Sequence, residues 1–369
     1  MPTHRIAVVG VGSAAETHMR AYEQLDDAAV VACAGRGDER SESPNGASGE
    51  TASRDDERVR SFADEHDCDP YLDVSAMLDS VEPDVLDVCT PSGAHLDPAL
   101  AAADRGVDVF CEKPLETTTE RIDRLIDAAE AAGIRLGGVF QRRYKPVVRT
   151  VREAVAEGRF GSLAVASAAL PWWRDDGYYD GTWQADPAVA GGGAVMSQAI
   201  HSVDAIQWIA GAGMDIDPDE NPVAEVSAFT GVRGHDADLA VEDAAVATLR
   251  YRDGTLGQLL ATTATYPGGE IRYELGGRDG SAEIRGEELT TWTFREERET
   301  DEATRERFSG PDAGADEPNP LELPNVREFL DARASGEPFM LDGPEARKAV
   351  AIVEAIYESA ERGEPVAVE

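Results

Sequence analysis

The stretch Ile6-Ala7-Val8-Val9-Gly10-Val11-Gly12-Ser13-Ala14-Ala15 decides how the first third of the chain is read. Four apolar residues in a row make a short strand buried on both faces, and the glycines behind it form a turn that opens a helix running to about residue 25. Gly10 permits the tight turn, Gly12 lets backbone approach a pyrophosphate, and the small Ala15 allows helix and strand to pack closely. Gly10, Gly12, Ser13, Ala14 and Ala15 are therefore expected to bind a dinucleotide.

The same rhythm continues downstream. Val30-Val31-Ala32-Cys33, Val85-Leu86-Asp87-Val88-Cys89 and Val107-Asp108-Val109-Phe110 are further strands, with helical patterns at 59–65, 74–78 and 98–105 between them and a helix at 119–132 before a strand at 135–140. Strand-helix alternation of this kind makes a parallel sheet covered on both faces. A polar stretch at 37–57 breaks the rhythm and reads as a solvated surface insertion. Beyond about residue 161 strands dominate, at 163–170, 223–230, 243–251, 255–263, 271–276 and 281–285, interrupted by a helix at 193–209. Turns such as Arg252-Asp253-Gly254 make this sheet mainly antiparallel. Residues 296–320 read as a long loop, and helices at 321–334 and 344–362 close the chain. The expected fold is an α/β Rossmann domain over 1–140 and an α+β domain over 141–369 built on a large, mainly antiparallel sheet.

The end of the second strand bears on the choice of dinucleotide. A site for NAD places a carboxylate there, on the adenine ribose hydroxyls. Here Ala34 runs into Gly35-Arg36, and a guanidinium pairs with a 2'-phosphate, which favours NADP. Asp38 is near enough to keep NAD open.

Composition narrows the setting. With 72 acidic against 34 basic residues the net charge is -38, and lysine occurs only at 113, 145 and 348. Self-repulsion of that size calls for screening by salt, so a salt-adapted protein of the cytoplasm is expected. Phosphate-rich partners would be repelled, which excludes nucleic acid and anionic membrane. No apolar run reaches the length of a membrane span, and the first strand starts too early for a secretory signal. Cys33, Cys68, Cys89 and Cys111 form no C-x-x-C pair, and the six histidines offer no H-x-x-x-H pair, so neither a disulfide nor a metal site is expected.

Three further segments carry chemistry: Cys111-Glu112-Lys113-Pro114 after the fourth strand, Thr90-Pro91-Ser92-Gly93-Ala94-His95 after the third, and Gly191-Gly192-Gly193 leading to His201 and Asp204. A lysine kept at a strand's carboxyl end, in a chain that nearly dispenses with lysine, points to a reaction. Together these segments resemble the glucose-fructose oxidoreductase and inositol dehydrogenase family, Gfo/Idh/MocA, over nearly the whole chain.

The resemblance implies that Lys113 is catalytic, that Glu112 holds the nicotinamide ribose, and that Pro114 follows a cis peptide bond. A lysine beside a nicotinamide holds the substrate hydroxyl and stabilises the alkoxide that forms as hydride leaves. Thr90, Pro91, Ser92 and His95 resemble the loop over the cofactor backbone, and Gln141 and Arg142 the junction between domains, where Arg142 either contacts nicotinamide or substrate or forms an interdomain salt bridge. His201, with its near-neutral intrinsic pKa, is the expected partner of Lys113 in proton transfer. Many relatives carry an aspartate where this chain has Ser197, so the relay rests on Lys113 and His201, with Asp204 a further candidate.

Three of the five tryptophans and two of the nine tyrosines fall within 172–183. Trp173, Arg174, Tyr179 and Trp183, with Lys113, Ser197 and His201, are the expected substrate contacts, the aromatic faces serving to stack a sugar ring. The expected activity is hydride transfer between NADP or NAD and a hydroxyl-bearing carbon of a sugar, polyol or sugar derivative, in a homodimer or homotetramer. Gln141-Arg142-Arg143-Tyr144 and Ser197-Gln198-Ala199-Ile200-His201 also resemble the branch that oxidises nucleotide sugars such as UDP-sugars at C3. A dinucleotide sensor without turnover is the alternative of another class.

Overall fold

A computed structural model describes residues 4–35, 48–310 and 322–369, with the backbone alone at 48–54. Arg36 and Asp38, on which the choice of dinucleotide was read, lie outside the described residues. The chain forms two compact units, Met1–Val139 with Asn319–Ala346 and Phe140–Pro318 with Arg347–Glu369.

In the first unit the chain runs β1 (His4–Val9), α1 (Ser13–Tyr22), β2 (Ala28–Ala34), α2 (Ser48–His66), β3 (Asp69–Tyr71), α3 (Val74–Val81), β4 (Val85–Val88), α4 (Leu96–Ala103), β5 (Asp108–Cys111), α5 (Thr119–Ala132) and β6 (Leu136–Gly138). The six strands pair in parallel in the order β3-β2-β1-β4-β5-β6. The order reverses between β1 and β4, which opens a ligand crevice at their carboxyl ends. Local signals set the helices: Asp73 accepts the Ala76 N–H at 2.6 Å to start α3, and Gly133 at φ +68° ends α5. Ile6, Val8, Cys33, Val85 and Phe110 form one buried cluster with Val326, Phe329 and Leu330.

Those last three residues belong to α10 (Glu322–Ser335), and they correct the expected boundary. The break after 139 falls beside the expected one, but 319–346 belongs to the first unit and not the second. Phe329 lies 5.2 Å from Phe110, ring to ring, and a Cβ on Gly137 would come within 2.6 Å of it. The glycine makes room for the returning helix.

The second unit contains α6 (Pro146–Ala156), β7 (Leu163–Pro171), α7 (Pro187–Ala190), α8 (Ile200–Gly211), β8 (Val223–Gly231), β9 (Ala244–Tyr251), β10 (Leu256–Thr262), β11 (Arg272–Gly277), β12 (Gly280–Arg285), β13 (Glu288–Phe294) and α9 (Thr300–Arg307). The helix α11 (Gly343–Arg362) begins in the first unit and continues in the second, where β14 (Val366–Ala367) ends the chain's elements. Eight strands form one sheet in the order β13-β12-β11-β7-β10-β9-β8-β14, antiparallel throughout except for the parallel pair β7 and β10. Burial alternates along β9, so one face of the sheet is core and the other is open.

Several elements differ from expectation. Residues 48–57 belong to α2 and are not part of a loop, and α9 lies within the stretch read as loop at 296–320. The strands β3 and β13 and the helix α6 were not anticipated. Residues Ala194–Ala199 are π-helical, so the helix expected over 193–209 is α-helical only from Ile200. Among the described residues no helix is long and apolar enough to cross a membrane.

Candidate active site

The carboxyl ends of β1 and β4 build one side of the first unit's crevice. Gly10 has φ +91°, and a Cβ there would meet the Cys89 carbonyl carbon at 2.6 Å, so only glycine lets β1 and β4 come together. At Gly12, by contrast, a Cβ would meet nothing within 4 Å, which leaves open space above the start of α1. No side chain caps that helix end, while Ala15 is fully buried against the sheet. A bare helix N-terminus facing open space suits a pyrophosphate.

The other side of the crevice follows β4 and β5. Thr90 and Ser92 are buried, Pro91 is half-buried, and the Thr90 hydroxyl donates to the Ala94 carbonyl at 3.0 Å. His95 needs correcting as a cofactor contact. It is 1% exposed, and its ring nitrogens lie 2.8 Å from the Pro114 carbonyl oxygen and 2.7 Å from that of Thr90. It therefore braces the two loops and presents no face to a ligand. Glu116, fully buried, completes the brace by accepting the Leu96 and Thr117 N–H groups and the Arg121 guanidinium.

Glu112 and Lys113 stand where β5 ends, both half-buried, and the Lys113–Pro114 bond is cis as expected. Burial would raise the Glu112 carboxyl, but His18 and the Lys113 backbone N–H outweigh it and hold the group at about 2. Glu112 is therefore an anion throughout the working range. Lys145 pairs with Glu287, and Lys348 donates to the Pro218 carbonyl oxygen. All three lysines are thus partly or wholly buried, and two of them serve structure.

In the second unit, Gly191-Gly192-Gly193 packs where larger residues cannot. A Cβ on Gly192 would lie 2.0 Å from the Tyr357 hydroxyl oxygen, and one on Gly193 would lie 1.8 Å from the Glu242 carbonyl oxygen. The π-helical segment that follows carries Ser197, whose hydroxyl donates to the Gly192 carbonyl at 3.3 Å, and leads to His201, half-buried and edge-on to Phe140 at 6.0 Å. Because the segment is π-helical, the four-residue spacing from Ser197 to His201 does not fix a shared face.

Asp204 is corrected as a relay candidate: it is fully buried and takes the Arg143 guanidinium bidentately, with Nε at 2.9 Å. Arg143 also lies over the Trp208 ring, at 5.1 Å. Gln141 and Arg142 lie half-buried on the short turn Gln141–Tyr144.

The aromatic segment divides. Trp173 stacks on His235 at 5.9 Å and, with Trp172, Arg174, Pro267 and Glu270, lines a pocket of about 430 Å³. Arg174 is aimed by Gln198, whose side-chain oxygen accepts from it at 2.8 Å and whose amide donates to the Tyr178 hydroxyl at 2.6 Å. Tyr179 is corrected as a contact there, while Trp183 is 36% exposed. Tyr179 is 5% exposed with its hydroxyl against Thr263 at 2.8 Å, and Trp183 sits on a separate turn.

Residues that reading the sequence missed are His18, Asp87 and Glu116 in the first unit and Tyr178, Gln198, His235, Glu242 and Tyr357 in the second. Asp87 carried a legible signal, as a charge inside an otherwise apolar buried strand.

Two halves of one family match in sequence. Residues 4–138 match the oxidoreductase family's NAD-binding Rossmann fold and residues 148–283 its C-terminal domain, together spanning most of the chain. The chain belongs to the Gfo/Idh/MocA oxidoreductases.

Among curated Gfo/Idh/MocA relatives, levoglucosan dehydrogenase of Pseudarthrobacter phenanthrenivorans is 27% identical over 222 residues, which are 57% of either chain. The "D-xylose 1-dehydrogenase (NADP(+)) 2" of Haloferax volcanii is 28% identical over 325 residues, 85% of this chain and 90% of that one. Among solved structures, the WlbA dehydrogenase of Bordetella pertussis, in complex with NADH and UDP-GlcNAcA, is similar with a TM-score of 0.85 at 27% identity, covering 100% of this chain and 98% of that one.

Proposed function

We propose that this Gfo/Idh/MocA oxidoreductase moves a hydride between a nicotinamide and a hydroxyl-bearing carbon of a sugar, polyol or sugar derivative. The observation that carries the reading is Glu112-Lys113-Pro114 at the end of β5, cis at the proline, in a Rossmann unit whose first helix starts bare beneath open space. The nicotinamide, when bound, supplies the carbon that accepts or gives the hydride.

The protein's own groups supply the rest. The backbone after Gly10 holds pyrophosphate, and Glu112 accepts hydrogen bonds from the ribose. Lys113 holds the substrate hydroxyl by its oxygen and stabilises the alkoxide as charge develops there, and His201 takes the hydroxyl proton. Trp173 and Arg174 face the sugar.

NADP is the preferred cofactor in this reading, supported by Arg36 after β2 and by likeness to the Haloferax enzyme, whose name carries NADP. The medium is a salt-rich cytoplasm, supported by the net charge of -38. The chain acts as a homodimer or homotetramer through the open sheet face, where Phe229 (79% exposed), Leu256, Val246 and Val165 share one side by register. A UDP-sugar oxidised at C3 is the second reading, favoured by the likeness to WlbA with its bound UDP-GlcNAcA.

Nicotinamide absorbance, followed in molar KCl over aldoses, inositols, uronates and UDP-sugars with NADP and with NAD, tests this. Reduction of cofactor by one class supports the reading and names the substrate. Tight cofactor binding with no turnover on any class would favour a sensor.

A further inference from the structure

Behind Glu112 lies a charged cluster that the proposed reaction does not use. His18, on α1, is 0% exposed, and its Nε2 stands 3.2 Å from Glu112 Oε1. Its Nδ1 stands 2.8 Å from Asp87 Oδ2 and 3.0 Å from Oδ1. Cys89 Sγ also stands 3.5 Å from Nδ1, but the carboxylate oxygens are nearer, and since they accept hydrogen bonds and do not donate them, bonds to both carboxylates need a proton on each ring nitrogen.

The surroundings fit a cationic ring. Asp87 also accepts from the Tyr22 hydroxyl at 2.9 Å and the Cys89 thiol at 3.5 Å. Burial and Asp87 push the Cys89 thiol up to about 12, so it stays a donor. Desolvation alone would lower the His18 pKa, but Asp87 more than offsets it and the ring's pKa lies well above its ordinary value. The remaining ionisable groups that face the cluster are Lys113 and the buried Cys111 thiol, itself raised by burial.

A buried ion triad costs several kcal/mol in desolvation and contributes little net stability compared with an apolar filling. Its position suggests another use. The ring joins α1, whose first turn faces the pyrophosphate site, to the end of β5, which carries Glu112.

We propose that His18 is a positioning residue for the Glu-Lys-Pro segment: as an imidazolium held between Asp87 and Glu112, it keeps the Glu112 carboxylate ionised and aimed at the cofactor ribose. The proposal rests on the role given above to Glu112. His18 holds Glu112 Oε1 and the Lys113 N–H holds Oε2, which fixes the carboxylate plane and leaves the second lone pair of each oxygen for the ribose. Cofactor affinity is then insensitive to pH across the working range. Without the imidazolium, desolvation carries the buried Glu112 carboxyl above the ordinary carboxylate range, so that it takes up a proton towards the acid end of the working range and stops accepting from the ribose.

Titrations with NADPH, and with NADH beside it, followed by fluorescence on the full chain in molar KCl from about pH 6 to about pH 9, compare wild type, His18→Gln, Glu112→Gln and the double variant. Glu112→Gln should weaken binding about tenfold at every pH, as loss of one charge-assisted hydrogen bond does. His18→Gln should bind nearly as wild type at the alkaline end and lose about tenfold towards the acid end. The double variant should match Glu112→Gln alone.

A His18→Gln loss that is equal at every pH, or that adds in full to that of Glu112→Gln, would overturn the positioning role. An unaltered affinity in Glu112→Gln would instead overturn the ribose contact on which the proposal rests. Should His18→Gln fail to fold, nitrogen NMR of the histidines in the wild-type protein decides. A ring that carries both protons at about pH 8, and whose signal shifts in Glu112→Gln, is expected, whereas a neutral ring there would sink the proposal.

Discussion

Gly193 gives its backbone N–H to the Glu242 carboxylate at 2.8 Å, and Ala194 and Val195 give theirs to the carbonyl and carboxylate of the same residue at 2.8 and 2.9 Å. Three successive N–H groups thus end on one glutamate, which starts the π-helical segment that leads to His201. Gly193→Ala puts a methyl 1.8 Å from the Glu242 carbonyl oxygen, so the segment must shift. Turnover should fall at least about 100-fold, the cost of displacing catalytic groups by about 1 Å, while cofactor affinity, whose proposed pyrophosphate and ribose contacts all lie in the first unit, should change little. Steady-state kinetics beside cofactor titration checks this.

Asp204 neutralises Arg143 deep in the second unit, a structural task that predicts no contribution to proton transfer. Asp204→Asn leaves a buried guanidinium without its anion and should cost about 3 kcal/mol of stability. The pH profile of kcat/KM in the folded fraction should keep its wild-type limbs. Denaturant melts and a pH series measure the two effects separately.

Asp301 accepts both Arg159 nitrogens at 2.8 Å, the Trp292 indole N–H at 2.9 Å and the Arg298 N–H at 2.7 Å. The Arg159 guanidinium, foremost, lowers the carboxyl from 3.8 to about 2. A carboxyl depressed on folding contributes its stability fully above the unfolded value and loses it as pH falls through the folded one. Asp301→Asn should therefore lower stability by about 2 kcal/mol near neutrality and narrow the gap to wild type as pH falls from about 4 towards 2. Melts across that range read the convergence.

The net charge of -38 makes salt a direct stabiliser. Raising KCl shortens the screening length from about 10 Å at 0.1 M to about 3 Å at 1 M, so Tm should climb steeply over that interval. A flat Tm would show that the charge is already balanced within the fold.

Much of the first unit was legible because each strand is a continuous apolar run between helix and turn signals, and Gly10 sits where only glycine fits. The return of α10 to that unit was not legible, since Val326, Phe329 and Leu330 look alike whichever core they join. The π-helical turn at 194–199 was hidden for a similar reason: its cause is Glu242, some fifty residues downstream. In the candidate site, Glu112, Lys113 and the Thr90 loop were proposed from local motif, whereas His18 and Asp87 meet across 69 residues of chain. His95 was misread because a motif gives a residue's place but not the direction of its ring. Tyr179 was misread because aromatic crowding does not distinguish a pocket wall from the packing beneath it.

Lys113→Met, assayed in molar KCl with the substrate that the wild-type enzyme oxidises, bears on hydride transfer at the Glu-Lys-Pro segment. Turnover should fall about 100- to 10,000-fold while the reduced cofactor that wild type binds still binds, because the lysine acts on the substrate hydroxyl and not on the dinucleotide. Turnover kept within about tenfold of wild type would contradict a catalytic Lys113 and, with it, the proposed chemistry.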